Sequence, residues 1–390
     1  MASNNPGLYE GREQTAVKHF ILRKYLERFA YIIGSYRSTL TYVDCFSGPW
    51  NAQSEEHKDT SFYIALEQLR RVRETYAKSG RRLNLRCLFL ERDPSAFAKL
   101  DAFAKGITDA KVETINQEFE NAIPAIVKFV NDGGKESFPF IFIDPNGWSG
   151  IYLETITPLL KITPSEVLVN FMTDPIHRFL ESPQETTQKS FNNLFGSANN
   201  RDKLKGLKGQ ELEDEAIRLY SESLKTIGDF KFVCCATILY PQIDKTYFNL
   251  LYASRHFRGA QVFKEVEKQA MQVMENERAK AATRRRSNRS ANLELAFGDS
   301  GGGDPRHLRS LRTRYEQRAR GRLLSILRRD KSISYEDAWA ETARFPLVWE
   351  SDLKGWIRQW QETNEIELTG LASKQHVPRL GNGHHLIWMK

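Results

Sequence analysis

Short apolar runs alternate with amphipathic stretches along the first two thirds of the chain. Residues 15–29 place apolar side chains at helical spacing, and residues 94–104 and 119–130 repeat that pattern. Five β-type runs lie between or beside such stretches, at residues 40–45, 85–90, 110–115, 138–143 and 166–172. Strands that alternate with helices predict an α/β fold with a parallel sheet.

Two further apolar runs, at residues 230–239 and 247–253, are separated only by residues 240–246. So short a connection cannot hold a crossover helix, so we expect these two strands to be antiparallel. Five parallel strands that close with an antiparallel sixth and seventh resemble the layout of Rossmann-type class I methyltransferases. NAD-binding Rossmann proteins usually lack the reversed last strand. The sequence therefore predicts a methyltransferase-like domain at residues 1–275.

The pattern changes from about residue 275. Residues 276–306 combine arginines with Gly, Ser, Asp and Pro, which predicts a basic flexible linker. Amphipathic helices are then predicted at 308–329, 334–342 and 350–363, followed by alternating residues around a Gly/Asn turn. Three helices and a terminal hairpin are typical of a winged helix, so residues 307–390 are predicted to form a winged-helix domain.

The net charge of +8 comes from one segment. Residues 278–330 carry fifteen Lys or Arg against five Asp or Glu, and the rest of the chain sums to −2. Such a local excess favours contact with phosphates, although a solvated linker is the alternative. The candidate contacts with DNA or RNA are the linker arginines and two cations of the third winged-helix helix: Arg284, Arg285, Arg286, Arg289, Lys354 and Arg358. A winged helix can also serve protein contact.

A hydrophobic strand ends in Asp44 and turns through Phe46, Ser47 and Gly48. Backbone amides approach a ligand closely where side chains are small, and ligands bind at the carboxyl edge of open α/β sheets. The string approximates DxFxGxG, a common form of the first S-adenosylmethionine (SAM) motif, with Trp50 in place of the second glycine. We therefore predict a SAM site here. A turn without a ligand remains the alternative.

The next two strand ends add candidate cofactor contacts. Glu91, followed by Arg92, ends the second strand, where an acidic residue typically accepts hydrogen bonds from ribose hydroxyls. Gln117 and Glu118 follow the third strand, where a side chain or backbone group often contacts adenine. A solvated loop is the alternative for these two residues.

The fourth strand ends in Asp144 and Pro145, followed by Asn146 and Trp148. Methyltransferases that act on exocyclic amines carry (D/N)PP(Y/F) at this place, where the acidic or amide side chain accepts the target NH2 and the aromatic ring stacks on a flipped base. Asn146 replaces the second proline, and Trp148 comes late. We predict these four as the catalytic group, against the alternative that Asp-Pro only shapes a turn.

The strings KHFILRKYLERF, VDCFSGP, FLERDP, FIDPNGWSG, VNFM…IHRF and LLYASRHFRGAQVFKEV resemble the bacterial and phage three-Cys-motif partner family over about residues 15–270. The resemblance implies similarity to SAM-dependent methyltransferases, a radical-SAM-like partner protein with three cysteines, and a link to phage, mobile-element or defence biology. On the family pattern, Lys18, His19, Asn170 and Arg178 are candidate substrate-pocket residues, and for Lys18 and Arg178 the alternative is a surface charge on a helix.

These observations favour a SAM-dependent methyltransferase that acts on an amine nitrogen of a nucleic-acid base. Ribose methylation would need a Lys-Asp-Lys-Glu set, and no lysine follows the fifth strand. The alternative is a degenerate methyltransferase fold that acts as a nucleic-acid-binding partner of the radical-SAM-like protein. No signal peptide or membrane span is apparent, and four cysteines without a CxxC pair suit a reduced cytoplasmic protein. No metal site is expected.

Overall fold

The computed structural model describes residues 8–48, 54, 57–289, 305–372 and 375–390. All seven predicted strands of the first domain are present, each within two residues of its predicted bounds. They are β1 (Thr39–Asp44), β2 (Asn84–Leu90), β3 (Lys111–Ile115), β4 (Ser137–Ile143), β5 (Glu166–Phe171), β6 (Phe232–Leu239) and β7 (Thr246–Ser254).

The strands form one sheet in the order β3-β2-β1-β4-β5-β7-β6. The first five are parallel, and β7 is antiparallel to both of its neighbours. The predicted antiparallel pairing of β6 and β7 is confirmed. Only β7 runs opposite to the five parallel strands, however, since β6 follows a long helical connection and runs in the same direction as those five. This topology is the methyltransferase-like layout that the sequence predicted. Strand order reverses between β1 and β4, which places a crevice at their carboxyl ends.

Ten helices of the described ranges belong to this part of the chain. They are α1 (Glu13–Gly34), α2 (Ser61–Lys78), α3 (Pro94–Lys105), α4 (Phe119–Asn131), α5 (Leu153–Leu160), α6 (Asp174–Phe179), α7 (Glu185–Phe195), α8 (Ala198–Asp202), α9 (Gly209–Gly228) and α10 (Phe257–Arg289). No helix within the described ranges is both long and apolar enough to cross a membrane.

Successive strand residues point to opposite faces of the sheet and so contribute to two separate cores. Tyr42 packs with α1, α2 and α10 on one face, whereas Val43 packs with α4, α5 and α9 on the other. Because the central strands are covered on both faces, their sequences are nearly continuous apolar runs rather than alternating ones.

Helix α10 continues well beyond the point where the sequence pattern changes. It ends at Arg289, so residues 276–289, predicted as the start of a flexible linker, are helical. Ala281 is buried and Arg278 donates hydrogen bonds to the backbone oxygen of Ile243 and to that of Tyr240. These contacts hold the helix against the β6–β7 connection. Local amino-acid composition does not reveal such tertiary contacts, which is why the linker prediction began too early. Residues 290–304 lie outside the described part of the chain.

The carboxyl-terminal unit contains three helices and a small antiparallel sheet of order β8-β10-β9. Its elements are α11 (Pro305–Asp330), β8 (Ser332–Ser334), α12 (Tyr335–Ala343), α13 (Glu350–Glu362), β9 (Ile366–Thr369) and β10 (His385–Trp388). The three predicted helices and the terminal hairpin are present, and the short strand β8 is an addition that the sequence did not predict.

This unit packs directly on the large sheet domain. The Lys264 Nζ donates to the backbone oxygen of Phe345 at 2.9 Å, and Glu267 accepts the Leu347 N–H at 2.8 Å. Lys264 and Glu267 also form a buried ion pair. The two units therefore share a continuous buried core rather than lying apart.

Candidate functional site

A cavity of about 370 Å³ lies at the carboxyl ends of β1, β2 and β4. Eleven residues that the sequence singled out line it: Lys18, His19, Phe46, Gly48, Glu91, Arg92, Gln117, Glu118, Asp144, Pro145 and Asn146. Parallel strands direct their carboxyl ends to one edge, so motifs far apart in the chain meet there. We call this space the carboxyl-edge cavity.

Asp44 lies beneath the carboxyl-edge cavity rather than on its wall. It is fully buried, and it accepts hydrogen bonds from the Phe46 N–H and the Tyr42 hydroxyl, each at 3.2 Å. Burial raises the pKa of Asp44 to about 6, although a hydrogen bond from Ser61 opposes the shift. Asp44 thus fixes the turn after β1 and the start of α2.

Ser47 joins the turn after β1 to the end of β2. Its N–H donates to the Leu90 oxygen at 2.7 Å, and its hydroxyl donates to the Asp44 oxygen at 2.9 Å. The same hydroxyl oxygen accepts the Leu90 N–H at 3.3 Å. These bonds place Gly48, which has no side chain, at the cavity wall. Pro49 and Trp50 lie outside the described residues.

The ends of β2 and β3 are tied together by polar contacts. Glu91 is buried and accepts the Asp93 N–H at 2.6 Å, while Asn116 donates to the Glu91 backbone oxygen at 2.8 Å. Arg92 and Glu118 are exposed and pair at 3.5 Å. The structure therefore holds the Glu91 carboxylate at the wall of the cavity on a rigid strand end.

Asp144 is the point where α1, β4 and β5 converge. One carboxylate oxygen contacts the Lys18 ammonium, and the other accepts a hydrogen bond from the Asn170 amide at 2.7 Å. The Lys18 ammonium also stands 5.5 Å from the centre of the Phe248 ring. Lys18 and Asp144 are each 13% exposed, so the pair is screened from bulk water but open to the cavity. Asn170 is buried behind Asp144.

His19 forms a different part of the wall. Its Nδ1 lies 3.0 Å from the Tyr9 hydroxyl, and burial together with the neighbouring Lys18 lowers its pKa well below the ordinary value. His19 is therefore a neutral ring at pH 7. Its polar contact is made to Tyr9, which precedes α1.

Sequence reasoning missed several residues that border the carboxyl-edge cavity. Arg12 pairs with the buried Asp59 at 2.5 Å, and Thr60 caps α2 beside them by accepting the Tyr63 N–H. The signal available in the sequence was the Asp-Thr pair before an amphipathic helix, which is typical of a helix start.

The loop after β4 separates the predicted catalytic residues. Pro145 and Asn146 line the cavity, whereas the Trp148 ring packs 4.7 Å from that of Phe191 and does not line it. A side chain at Gly150 would lie 2.5 Å from the Phe46 ring, so only glycine lets the loop close over the turn after β1. The Trp148 ring faces α7 rather than the space beside Asp144.

Arg178 also lies away from the cavity. It is exposed on α6, with its guanidinium carbon 5.6 Å from the centre of the Phe179 ring. Of the four residues carried over from the family pattern, the structure brings Lys18 and Asn170 to Asp144, places His19 on the wall, and leaves Arg178 outside the lining.

The predicted nucleic-acid contacts have different environments. Arg284 forms an ion pair with the buried Glu13 of α1, so it is held by the protein itself. Arg285 is exposed on α10, and on α13 Arg358 is exposed and Lys354 pairs with Glu350 at 2.8 Å. The side chains of two further arginines lie outside the described part, although both residues belong to α10: Arg286 and Arg289.

No family model and no curated protein matches the chain. Several solved structures resemble it. A Legionella pneumophila protein of family DUF519 is 14% identical with a TM-score of 0.38, covering 66% of this chain and 92% of its own. A DUF574 protein of Streptomyces avermitilis is 9% identical with a TM-score of 0.31, covering 60% and 82%.

A Thermobifida fusca protein provisionally classed as a methyltransferase is 11% identical with a TM-score of 0.29, covering 64% of this chain and 83% of its own. All three TM-scores lie well below 0.5. The methyltransferase-like fold is therefore assigned from the strand order and directions of this chain.

Proposed function

We propose that this protein is a SAM-dependent methyltransferase that acts on an amine nitrogen of a nucleic-acid base. The observation that carries the proposal is the position of Asp144. It directly follows β4 at the carboxyl-edge cavity, beside a wall that contains Gly48 and Glu91. An acceptor for a target amine thus stands next to residues of the type that hold a nucleoside cofactor.

The residues present fit SAM. The cavity volume of about 370 Å³ lies in the range of small-molecule sites. Glu91 is a suitable acceptor for ribose hydroxyls, and the bare backbone at Gly48 admits close approach of the amino-acid portion. When bound, SAM supplies a methyl group on a strongly electrophilic sulfonium. Little acid–base assistance is then required, and the protein contributes chiefly alignment.

The neighbours of Asp144 favour an amine as nucleophile. An ionised carboxylate has about four acceptor sites, so Asp144 can accept a target N–H while it keeps Lys18 and Asn170. The Asn170 side-chain oxygen is buried and has no hydrogen-bond partner among the described residues. Asn170 does not line the cavity, so its side chain positions Asp144 from behind rather than contacting a substrate. Pro145 lines the cavity, and its backbone oxygen is the proposed acceptor for the second hydrogen of an NH2 group, which a hydroxyl substrate lacks.

Methyl transfer to a ribose hydroxyl is the neighbouring chemistry. The contact between Lys18 and Asp144 supplies two members of the required Lys-Asp-Lys-Glu set. The end of β5 supplies Asn170 where that chemistry needs a second lysine. The amine substrate is therefore preferred.

We extend the proposal to the carboxyl-terminal unit, which we interpret as a nucleic-acid-binding winged helix. Helix α11 contains nine arginines and only two acidic residues. Five of the arginines form ion pairs with carboxylates of the protein itself, namely Arg312, Arg314, Arg318, Arg322 and Arg329. Arg309 and Arg328 are exposed and form no ion pair among the described residues. Such a surface suits phosphates, whose contribution to binding is independent of base sequence. A radical-SAM-like protein with three cysteines is the proposed protein partner, on the family resemblance.

A catalytically degenerate fold is the second candidate. Its supporting observation is Trp148, which packs against Phe191 and so is withdrawn from the place where a flipped base would stack. Asn146, which stands where the amine-methyltransferase motif has a second proline, also favours it. In this case the chain would serve as a nucleic-acid-binding partner without transferring a methyl group.

Calorimetric titration with SAM and transfer of a labelled methyl group to mixed DNA and RNA test the proposal. Wild-type protein should bind SAM, and Asp144→Ala should keep the affinity but lose transfer, because Asp144 is assigned to the nucleophile. Asp132→Ala, at an exposed acidic residue after α4, is the matched control and should retain both. If folded wild-type protein does not bind SAM at millimolar concentration, the methyltransferase proposal is refuted and the catalytically degenerate fold is favoured.

A further inference from the structure

A second and larger cavity, of about 560 Å³, lies at the opposite edge of the sheet, where the parallel strands begin. The end of α1, the start of β5 and the first turn of α10 enclose it. It shares no lining residue with the carboxyl-edge cavity in the described part of the chain. We call it the amino-edge cavity, and none of the residues assigned above to methyl transfer lies in it.

The inner wall of the amino-edge cavity carries a buried carboxylate, that of Glu166, which is only 5% exposed. One of its oxygens accepts the Tyr25 hydroxyl at 2.6 Å, and the other lies 3.4 Å from the Ser254 hydroxyl oxygen. Tyr252 also donates to it. These partners are neutral hydroxyls, and burial raises the pKa of Glu166 to about 7. A buried carboxylate is stabilised by additional N–H donors, so this wall favours a ligand that supplies them.

The mouth of the amino-edge cavity has the opposite charge. Arg258 is exposed where α10 begins, and Arg37 follows the end of α1. In the first turn of α10, the Arg258 N–H donates to His256 Nδ1 at 3.1 Å and the Gly259 N–H donates to the His256 backbone oxygen at 3.2 Å, so the helix contributes its dipole rather than free donors. Gly259 permits this arrangement, because a Cβ there would lie 2.6 Å from a Glu166 carboxylate oxygen. The helix start and the carboxylate can therefore face one ligand.

Aromatic rings line the space between these two ends. Phe29 and Phe138 contact each other edge to face at 5.7 Å, and Tyr36 is 55% exposed beside them. Arg255 has a structural role, since its guanidinium donates hydrogen bonds to the backbone oxygens of Leu160 and Gly228. The ligand therefore needs donors at one end, a planar or apolar middle and an anion at the other end.

We propose that the amino-edge cavity binds a guanine nucleotide. Guanine presents two adjacent N–H donors, on N1 and on the exocyclic amine, which match the two oxygens of Glu166. The aromatic wall packs against the base, and the phosphate lies at the mouth near Arg258 and the start of α10. Adenine would bring a ring acceptor against the carboxylate and so lose one bond. The volume suffices for a nucleotide.

The test is equilibrium titration of the full chain with GDP, ADP and guanosine. GDP should bind about tenfold or more tightly than ADP, since a hydrogen bond to a charged group discriminates by at least that factor. Arg258→Ala should weaken GDP several-fold and leave guanosine unchanged, because only the phosphate is affected. Arg328→Ala, an exposed arginine of α11, is the matched control and should leave GDP binding as it is in the wild type.

Glu166→Gln tests the base contact, and it should abolish the preference for GDP over ADP. If Glu166→Gln fails to fold, the comparison of GDP with guanosine binding by Arg258→Ala still tests the proposed phosphate contact. Saturation with S-adenosylhomocysteine should not compete with GDP. Competition, equal affinity for ADP, or undetectable GDP binding at millimolar concentration would each overturn the proposal, and none of these results depends on methyl transfer.

Discussion

Replacing Lys264 by methionine tests how the carboxyl-terminal unit is anchored. The Lys264 and Glu267 side chains are 2% and 0% exposed, and both reach across to the unit, to the backbone of Phe345 and Leu347. Methionine keeps the length of the side chain but leaves the Glu267 carboxylate buried without its cation. Breaking a buried pair in this way typically costs about 3–5 kcal/mol. We therefore expect Lys264→Met to lower the free energy of unfolding at pH 7 by about that amount.

The loss should depend on pH in a defined direction. Burial already raises the pKa of Glu267, and Lys264 opposes that shift. Without the lysine the folded-state pKa rises further above the unfolded value. The neutral form then favours folding, and this contribution is lost as pH increases through the folded-state pKa. Lys264→Met should consequently be closer to the wild type at pH 5 than at pH 8.

Urea unfolding followed by far-UV circular dichroism and tryptophan fluorescence measures both effects. The double variant Lys264→Met with Glu267→Gln should be more stable at pH 8 than Lys264→Met alone, because no buried charge remains. Lys128→Met, in an exposed pair with Asp132, is the matched control and should cause no measurable loss. A Lys264→Met variant within 1 kcal/mol of the wild type, or one without pH dependence, would refute the reasoning.

Two further predictions concern the carboxyl-edge cavity and the basic segment. At pH values above 6, Asp44→Asn should have a higher thermal unfolding midpoint than the wild type. The pKa of Asp44 is raised to about 6, so wild-type stability is lost as pH increases from about 4 to 6 and the buried carboxyl group ionises. A difference in midpoint between Asp44→Asn and the wild type that does not change with pH would contradict this. In a separate test, Asp44→Ala should abolish SAM binding in calorimetry. Replacing Arg285, Arg286 and Arg289 by serine should flatten the slope of log K against log salt for duplex DNA by about 2.7, at about 0.9 per phosphate contact. An unchanged slope would remove these arginines from the binding site, and Arg284 is left intact because its ion pair with α1 would confound the measurement.

The local pattern of the sequence was sufficient for the strands and for the residues that end them. A strand buried on both faces needs a run of apolar residues, and the first polar residue after such a run falls at the sheet edge. Asp44, Glu91 and Asp144 were found in this way, and Glu91 and Asp144 reach the cavity wall while Asp44 supports the turn below it. The antiparallel β6–β7 pair followed from a connection too short for a helix.

Tertiary structure alone decided which side chains meet and which are withdrawn. Lys18 and Asp144 are 126 positions apart, and their contact depends on how α1 crosses the end of β4. The Trp148 ring packs against Phe191 of α7, a residue 43 positions later in the chain. Arg284 forms an ion pair with Glu13 because α10 continues past the predicted linker boundary. Composition and periodicity report burial and local conformation. They do not report the packing of distant elements, which fixes the partner of each polar side chain.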